Sequence, residues 1–159
     1  MELATGEPID MPESELSERM RDLADKAVTL ARNQYQTKLD FSEESLQLVE
    51  RILAKLSRDI PKGFFGRLLK RGPTQKQIEA ICELLGAYIG EVIRRKWDGT
   101  WRMDSSFGAT LPALSVLGGD IYPTNKVWKR LVDGDGDNVW AYYRMLKHIH
   151  EHGEPKQQT

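Results

Sequence analysis

Three aspartates in the run DGDGDN have the alternating spacing of a calcium-binding loop: Asp133, Asp135 and Asp137. An EF-hand loop needs glycine at its sixth position and a bidentate glutamate at its twelfth. Counted from Asp133, those positions hold Asn138 and Arg144, and an arginine would repel the ion. The run is therefore predicted to be a polar connection between two helices that ends in a helix cap and binds no calcium.

A second group with ligand chemistry is the run HIHEH near the end of the sequence. On a helix, His148 and His152 would share a face and could bind one metal ion together. A structural site needs four placed ligands, and the spacing fixes no third one. Cys82 falls beside the apolar stripe of a predicted helix and is interpreted as a buried, inert thiol. We therefore predict no metal site and no cofactor.

The third group centres on Glu91, at the edge of a predicted apolar helix stripe, with Trp101 and Arg102 nearby in sequence. A half-buried carboxylate needs a partner, which Arg94, Arg95, Arg102 or a strand N–H could supply. One interpretation is a small enzyme that uses Glu91 as a general base near Trp101 and Arg102. No second acid, nucleophile or oxyanion loop accompanies Glu91, so the favoured interpretation is a structural anchor.

Hydrophobic periodicity predicts the helices that would position these groups. Apolar residues recur at three- and four-residue spacing in five segments. These segments are a helix over 12–35, a second over 42–58, a third over 75–96, a short helix from Pro123 and a last helix from Asp137 or Asn138. The third is the best defined, because Thr74 and Gln77 have the spacing of a capping box.

Short alternating segments at 100–103, 114–117 and 120–122 predict a small antiparallel sheet. The expected fold is α+β, a mostly helical single domain with this sheet packed on the third helix. Residues 12–152 are predicted to form the domain, between a disordered lead at 1–11 and a frayed tail at 153–159.

Two glycines, Gly86 and Gly90, lie one helical turn apart beside the stripe of the third helix. A glycine inside a helix costs about 1 kcal/mol relative to alanine. A pair of them at this spacing predicts that another backbone passes close by, rather than a ligand contact. Together with Glu91 and Trp101 they are predicted to be structural anchors.

Charge divides the chain into three parts. Residues 1–60 have a net charge of −5, residues 61–132 of +6 and residues 133–159 of −2. The basic middle could bind an anionic ligand or nucleic acid, or the acidic flanks could fold against it. The second interpretation is favoured, and no nucleic-acid partner is expected, because a single-strand platform needs spaced aromatic side chains on a groove.

Composition indicates a soluble globular protein, with 40% apolar and 30% charged residues. No apolar run approaches the roughly 20 residues of a membrane span. One cysteine cannot form an internal disulfide, and the acidic start of the chain lacks the apolar core of a secretory signal. We therefore expect a cytoplasmic protein that does not associate with membranes.

Two surfaces are candidates for binding a protein partner. The segment KGFFGRLLKRG places Phe64, Phe65 and Arg67 among lysines and arginines, which is the usual composition of an interface. The basic helix that carries Lys126, Lys129 and Arg130 is the next candidate. The leading interpretation is accordingly a non-enzymatic protein-binding domain, ahead of the enzyme and the anionic-ligand module.

The second half of the chain resembles a loose group of small bacterial proteins of unknown function. The shared pattern is G-x-Y-x-G-E on a helix, G-x-W on a strand, P-x-x-K-V-x-K-R at a helix start and a late aromatic pair. The matching residues are Gly86, Tyr88, Gly90, Glu91, Gly99, Trp101, Pro123, Lys126, Val127, Lys129, Arg130, Tyr142 and Tyr143. Some proteins of this group resemble toxin-immunity proteins, so the resemblance implies an immunity- or antitoxin-like role with a toxin-like partner.

Overall fold

The computed structural model describes residues 11–60 and 72–153, which form five α-helices and one three-stranded sheet. The elements follow the order α1 (Glu13–Tyr35), α2 (Ser45–Asp59), α3 (Gln75–Trp97), β1 (Thr100–Asp104), β2 (Leu111–Val116), β3 (Gly119–Ile121), α4 (Pro123–Asp133) and α5 (Val139–His152). A 3-10 turn at Asp135–Asp137 precedes α5. The predicted α+β fold, mostly helical with a small antiparallel sheet, is confirmed.

Helix α3 occupies the centre of the fold. Its residues 85–93 are all buried, so the helix is enclosed on every side over this stretch. The predicted capping box at its start is present, with the Thr74 hydroxyl accepting from the Gln77 backbone N–H and the Gln77 side chain accepting from the Thr74 N–H. Its end is marked by Asp98, which has a left-handed backbone (φ 53°).

The sheet has the order β1-β2-β3 and is antiparallel throughout. Strand β2 begins at Leu111, three residues before the predicted start, because Pro112 lacks an N–H and obscures the strand pattern. The β2–β3 connection has two residues, Leu117 and Gly118, both with positive φ (53° and 79°). Two positive φ angles match the twist of a tight hairpin, although leucine adopts this conformation far less readily than glycine.

The core is formed where α1, α4 and the inner face of the sheet pack against α3, and α2 packs mainly against α4 and α5. The largest fully buried side chain is that of Trp101, on β1. Within the described ranges, no helix is long and apolar enough to cross a membrane. The predicted lead at 1–11 and tail at 153–159 lie outside the described residues, except for Met11 and Gly153.

Candidate functional site

The start of α4 packs against the two glycines of α3, Gly86 and Gly90. A Cβ atom built on Gly86 would lie 2.6 Å from the Cα atom of Thr124, and one built on Gly90 would lie 2.2 Å from Trp101 Cη2 and 3.3 Å from Pro123 Cγ. Real Cβ atoms do not approach heavy atoms as closely as the two shorter distances. The first turn of α4 therefore rests on the backbone of α3 at Gly86, where a second backbone passes close by as the glycine spacing predicts. At Gly90 the close neighbour is instead the side chain of Trp101.

Glu91 is fully buried beside the contact between α3 and α4, and both of its carboxylate oxygens accept hydrogen bonds. Oε1 accepts hydrogen bonds from Trp101 Nε1 and Arg94 Nε, each at 2.8 Å. Oε2 accepts from Arg94 Nη2 at 3.1 Å and from Arg95 Nε at 3.4 Å. Burial alone would raise the pKa of Glu91, but these hydrogen bonds and the two positive charges outweigh burial and lower it.

Arg102 does not join Glu91 and Trp101 in one site. Successive strand residues point to opposite faces, so Trp101 enters the core and Arg102 lies on the outer face of the sheet. There Arg102 forms ion pairs with Asp104 and Asp120. The residues of the enzyme interpretation are therefore divided between two faces of β1.

Asp104 is the centre of the outer-face network. It accepts hydrogen bonds from the Ser106 and Tyr122 hydroxyl groups at 2.7 and 2.6 Å. These two donors, together with the charge of Arg102, lower the pKa of Asp104 to about 2. The network holds the two hairpins together on the face away from α3.

The prediction that Arg130 lies on a partner surface is wrong. Its side chain is 2% exposed, and its Nε donates to Glu50 Oε1 at 2.7 Å. Glu50 Oε2 also accepts from the backbone N–H of Val139 at 2.8 Å. One buried carboxylate thus joins α2, α4 and the start of α5, because a buried guanidinium must be paired.

The two lysines of the same prediction differ from each other. Lys126 Nζ lies 2.8 Å from Asp137 Oδ1 and 5.0 Å from the centre of the Tyr142 ring. Lys129 is exposed and forms no ion pair within the described part of the chain. Of the three predicted cations, Lys129 is the only one that is exposed.

The outward side of α4 carries an exposed apolar pair. Trp128 is 37% exposed and Val132 is 42% exposed, one helical turn apart. Lys129 and Asp133 are exposed beside them. We call these four residues the α4 surface. Val127 and Leu131, on the other side of the same helix, are buried in the core.

Six of the eight cations that the structure describes in the basic middle form ion pairs with carboxylates, and several partners come from the acidic flanks. Glu43 and Glu50 come from residues 1–60 and pair with Lys96 and Arg130. Asp137 comes from residues 133–159 and pairs with Lys126. This is the arrangement expected if the flanks fold against the middle.

Two groups of residues from the sequence analysis remain: the segment around Phe64 and the histidines near the end of the chain. Phe64, Phe65 and Arg67 lie outside the described residues. The rings of His148 and His152 stack with centroids 4.5 Å apart. His148 also borders an open groove of about 320 Å³ along α5, whose lining residues are Trp140, Tyr143, Arg144, Lys147, His148 and Glu151.

The aspartates of the DGDGDN run serve mainly as ion-pair partners. Asp135 Oδ1 lies 3.1 Å from Arg130 Nη2, and Asp137 binds Lys126. Asn138 caps α5 by accepting a hydrogen bond from the Ala141 N–H at 2.9 Å. The connection therefore fastens the end of α4 and the start of α5 to each other.

No protein-family model, curated protein or solved structure matches this chain.

Proposed function

We propose that this protein is a non-enzymatic protein-binding domain that holds its partner on the α4 surface. The observation that carries the proposal is the exposed pair Trp128 and Val132 on a helix whose opposite side is fixed to the core. Tryptophan is enriched among the residues that dominate binding energy at interfaces. Exposed apolar side chains grouped on one helix face are typical of a surface that another protein covers.

The buried contacts of α4 supply rigidity to that surface. Its first turn lies against Gly86 and Gly90, Arg130 near its end is held by Glu50, and Lys126 is held by Asp137. The Leu131 carbonyl accepts a further hydrogen bond from the Ser57 hydroxyl at 3.1 Å. A binding surface that is already ordered loses little conformational entropy when a partner binds, which favours affinity.

The geometry favours binding over the two other interpretations. A general base needs a free lone pair that faces a substrate, whereas Glu91 already accepts four hydrogen bonds. An anion site needs several cations that are available to the ligand, whereas most of the described cations of the basic middle, among them Arg94, Arg102 and Lys126, are paired with carboxylates of the chain itself.

The resemblance to toxin-immunity proteins supports a toxin-like protein as the partner. Cys82, buried and without a disulfide, is consistent with the reducing cytoplasm in which such a partner would be neutralised. If the partner is of this class, its expression alone should stop bacterial growth, and co-expression with this chain should restore growth.

Trp128→Ser is expected to weaken capture of the partner by roughly thirtyfold or more, because a buried interface tryptophan typically contributes about 2 kcal/mol or more. The measurement is affinity capture from a lysate of the native organism, followed by titration of the captured protein against each purified variant. Phe107→Ser is the matched control, since Phe107 is a more exposed aromatic residue (71%) on the β1–β2 connection.

The control variant should bind as the wild type does, and circular dichroism should show that both variants are folded. Equal binding by folded Trp128→Ser and wild-type protein would contradict the proposal. Loss of binding in Phe107→Ser alone would move the interface to the outer face of the sheet.

A further inference from the structure

The α4 surface has two distinct sides. Trp128 and Val132 are one turn apart and form an apolar side, and Lys129 and Asp133 are one turn apart and form a charged side. A rotation of roughly 100° about the helix axis separates the two sides. Within residues 11–60 and 72–153, neither Lys129 nor Asp133 forms an ion pair.

This arrangement is complementary to itself. In a two-fold dimer the same patch of both subunits meets, so that residue i contacts residue j and j contacts i. A two-fold axis perpendicular to α4 places two copies of the helix antiparallel, with apolar side against apolar side and charged side against charged side. Because the helices run in opposite directions, Lys129 of each copy then faces Asp133 of the other.

We infer that the α4 surface binds a second copy of this chain as an antiparallel, two-fold pair. The inference rests on the proposed function, because it assigns one partner to the same surface. Two reciprocal Lys129–Asp133 pairs select the antiparallel direction, and Trp128 packs within a helical turn of Val132 of the other copy. Self-association on this surface competes with binding of a different protein there.

The contact is expected to be weak. One face of a short helix provides less than the roughly 800 Å² per partner of a standard interface. Self-association is therefore expected in the range of about 100 µM rather than nanomolar. A weak dimer of this kind would cover Trp128 and Val132 in the absence of a partner. A partner that binds more tightly would still displace the second copy.

The test is analytical ultracentrifugation of the full chain from about 10 µM to about 1 mM, a range that brackets the expected dissociation constant. Four samples are compared: wild type, Lys129→Glu, Asp133→Lys and an equimolar mixture of the two variants. Each variant alone places like charges opposite each other twice and should self-associate about tenfold more weakly than wild type.

The mixture of the two variants restores opposite charges at both contacts. The glutamate introduced at position 129 of one chain faces the lysine introduced at position 133 of the other, and the unchanged Asp133 faces the unchanged Lys129. Association in the mixture should therefore return towards the wild-type level. The mixture is its own control, because each chain in it is identical to the chain measured alone.

A wild-type protein that stays monomeric at the highest concentration would overturn the inference. Recovery that is absent from the mixture would overturn the antiparallel pairing. Capture of a different protein is a separate measurement, made at micromolar concentration. If that capture depends on Trp128 while the wild type is monomeric, the inference of self-association is wrong and the proposed function stands.

Discussion

Gly90→Ala is expected to lower the free energy of unfolding by about 3 kcal/mol, at the upper end of the range for overpacked cores. The new Cβ atom would lie 2.2 Å from the Trp101 ring, which cannot swing away without breaking its hydrogen bond to Glu91. Alanine normally stabilises a helix by about 1 kcal/mol relative to glycine. A loss of stability in Gly90→Ala would therefore show that the new Cβ atom meets the Trp101 ring. The measurement is chemical denaturation of the purified variant.

Gly136→Ala is the matched control for this substitution. A Cβ atom on Gly136 would have no heavy atom within 4 Å, and its φ angle is not positive. This variant should be as stable as the wild type. If Gly90→Ala were as stable as the wild type, the close approach of Trp101 to α3 would not affect stability. The positioning of α4 by the two glycines of α3 would then be wrong.

Glu91→Ala is the second large effect, with an expected loss of about 3 kcal/mol in the free energy of unfolding. It leaves the buried indole N–H of Trp101 without an acceptor, which costs about 1–3 kcal/mol, and it leaves a cavity in a packed region. Glu91→Gln retains an oxygen that can accept from Trp101. The glutamine variant should therefore be more stable than the alanine variant by at least about 1 kcal/mol.

The pH dependence distinguishes the charge of Glu91 from its shape. Its pKa is lowered in the folded protein, so its ionised form adds stability above the unfolded value of about 4.3. This contribution is lost as the pH falls through the folded pKa. The stability difference between wild type and Glu91→Gln should accordingly be largest near neutral pH and shrink below about pH 4. A difference that stays constant with pH would show that the charge has no role.

Much of the fold could be predicted from local patterns in the sequence. Helix α3 begins at the predicted Gln75, because the Thr74–Gln77 capping box is a local signal. The glycine pair predicted a close approach to α3, but no local pattern could show that Thr124 and Trp101 make it. Those neighbours depend on how the sheet and α4 fold back onto the helix.

Arg130 shows most clearly where local patterns fail. Beside Lys126 and Lys129 it fits an exposed basic face, and an arginine on a helix is usually at the surface. Its partner Glu50 lies 80 residues earlier in the chain, so the sequence offers no spacing that would connect them. Trp128 shows the opposite outcome beside a core residue: Val127 is buried, whereas Trp128 is partly exposed, because adjacent residues of a helix point about 100° apart.

Hydroxyl-radical footprinting of Trp128 with and without the captured partner shows whether the partner covers the α4 surface. The exposed indole of Trp128 should be oxidised readily in the free protein and several-fold more slowly in the complex, because the α4 surface becomes covered. Phe107, exposed on the β1–β2 connection, provides the internal reference and should be oxidised equally in both states. Oxidation of Trp128 at the same rate in the free protein and in the complex would contradict the assignment of the α4 surface as the binding site.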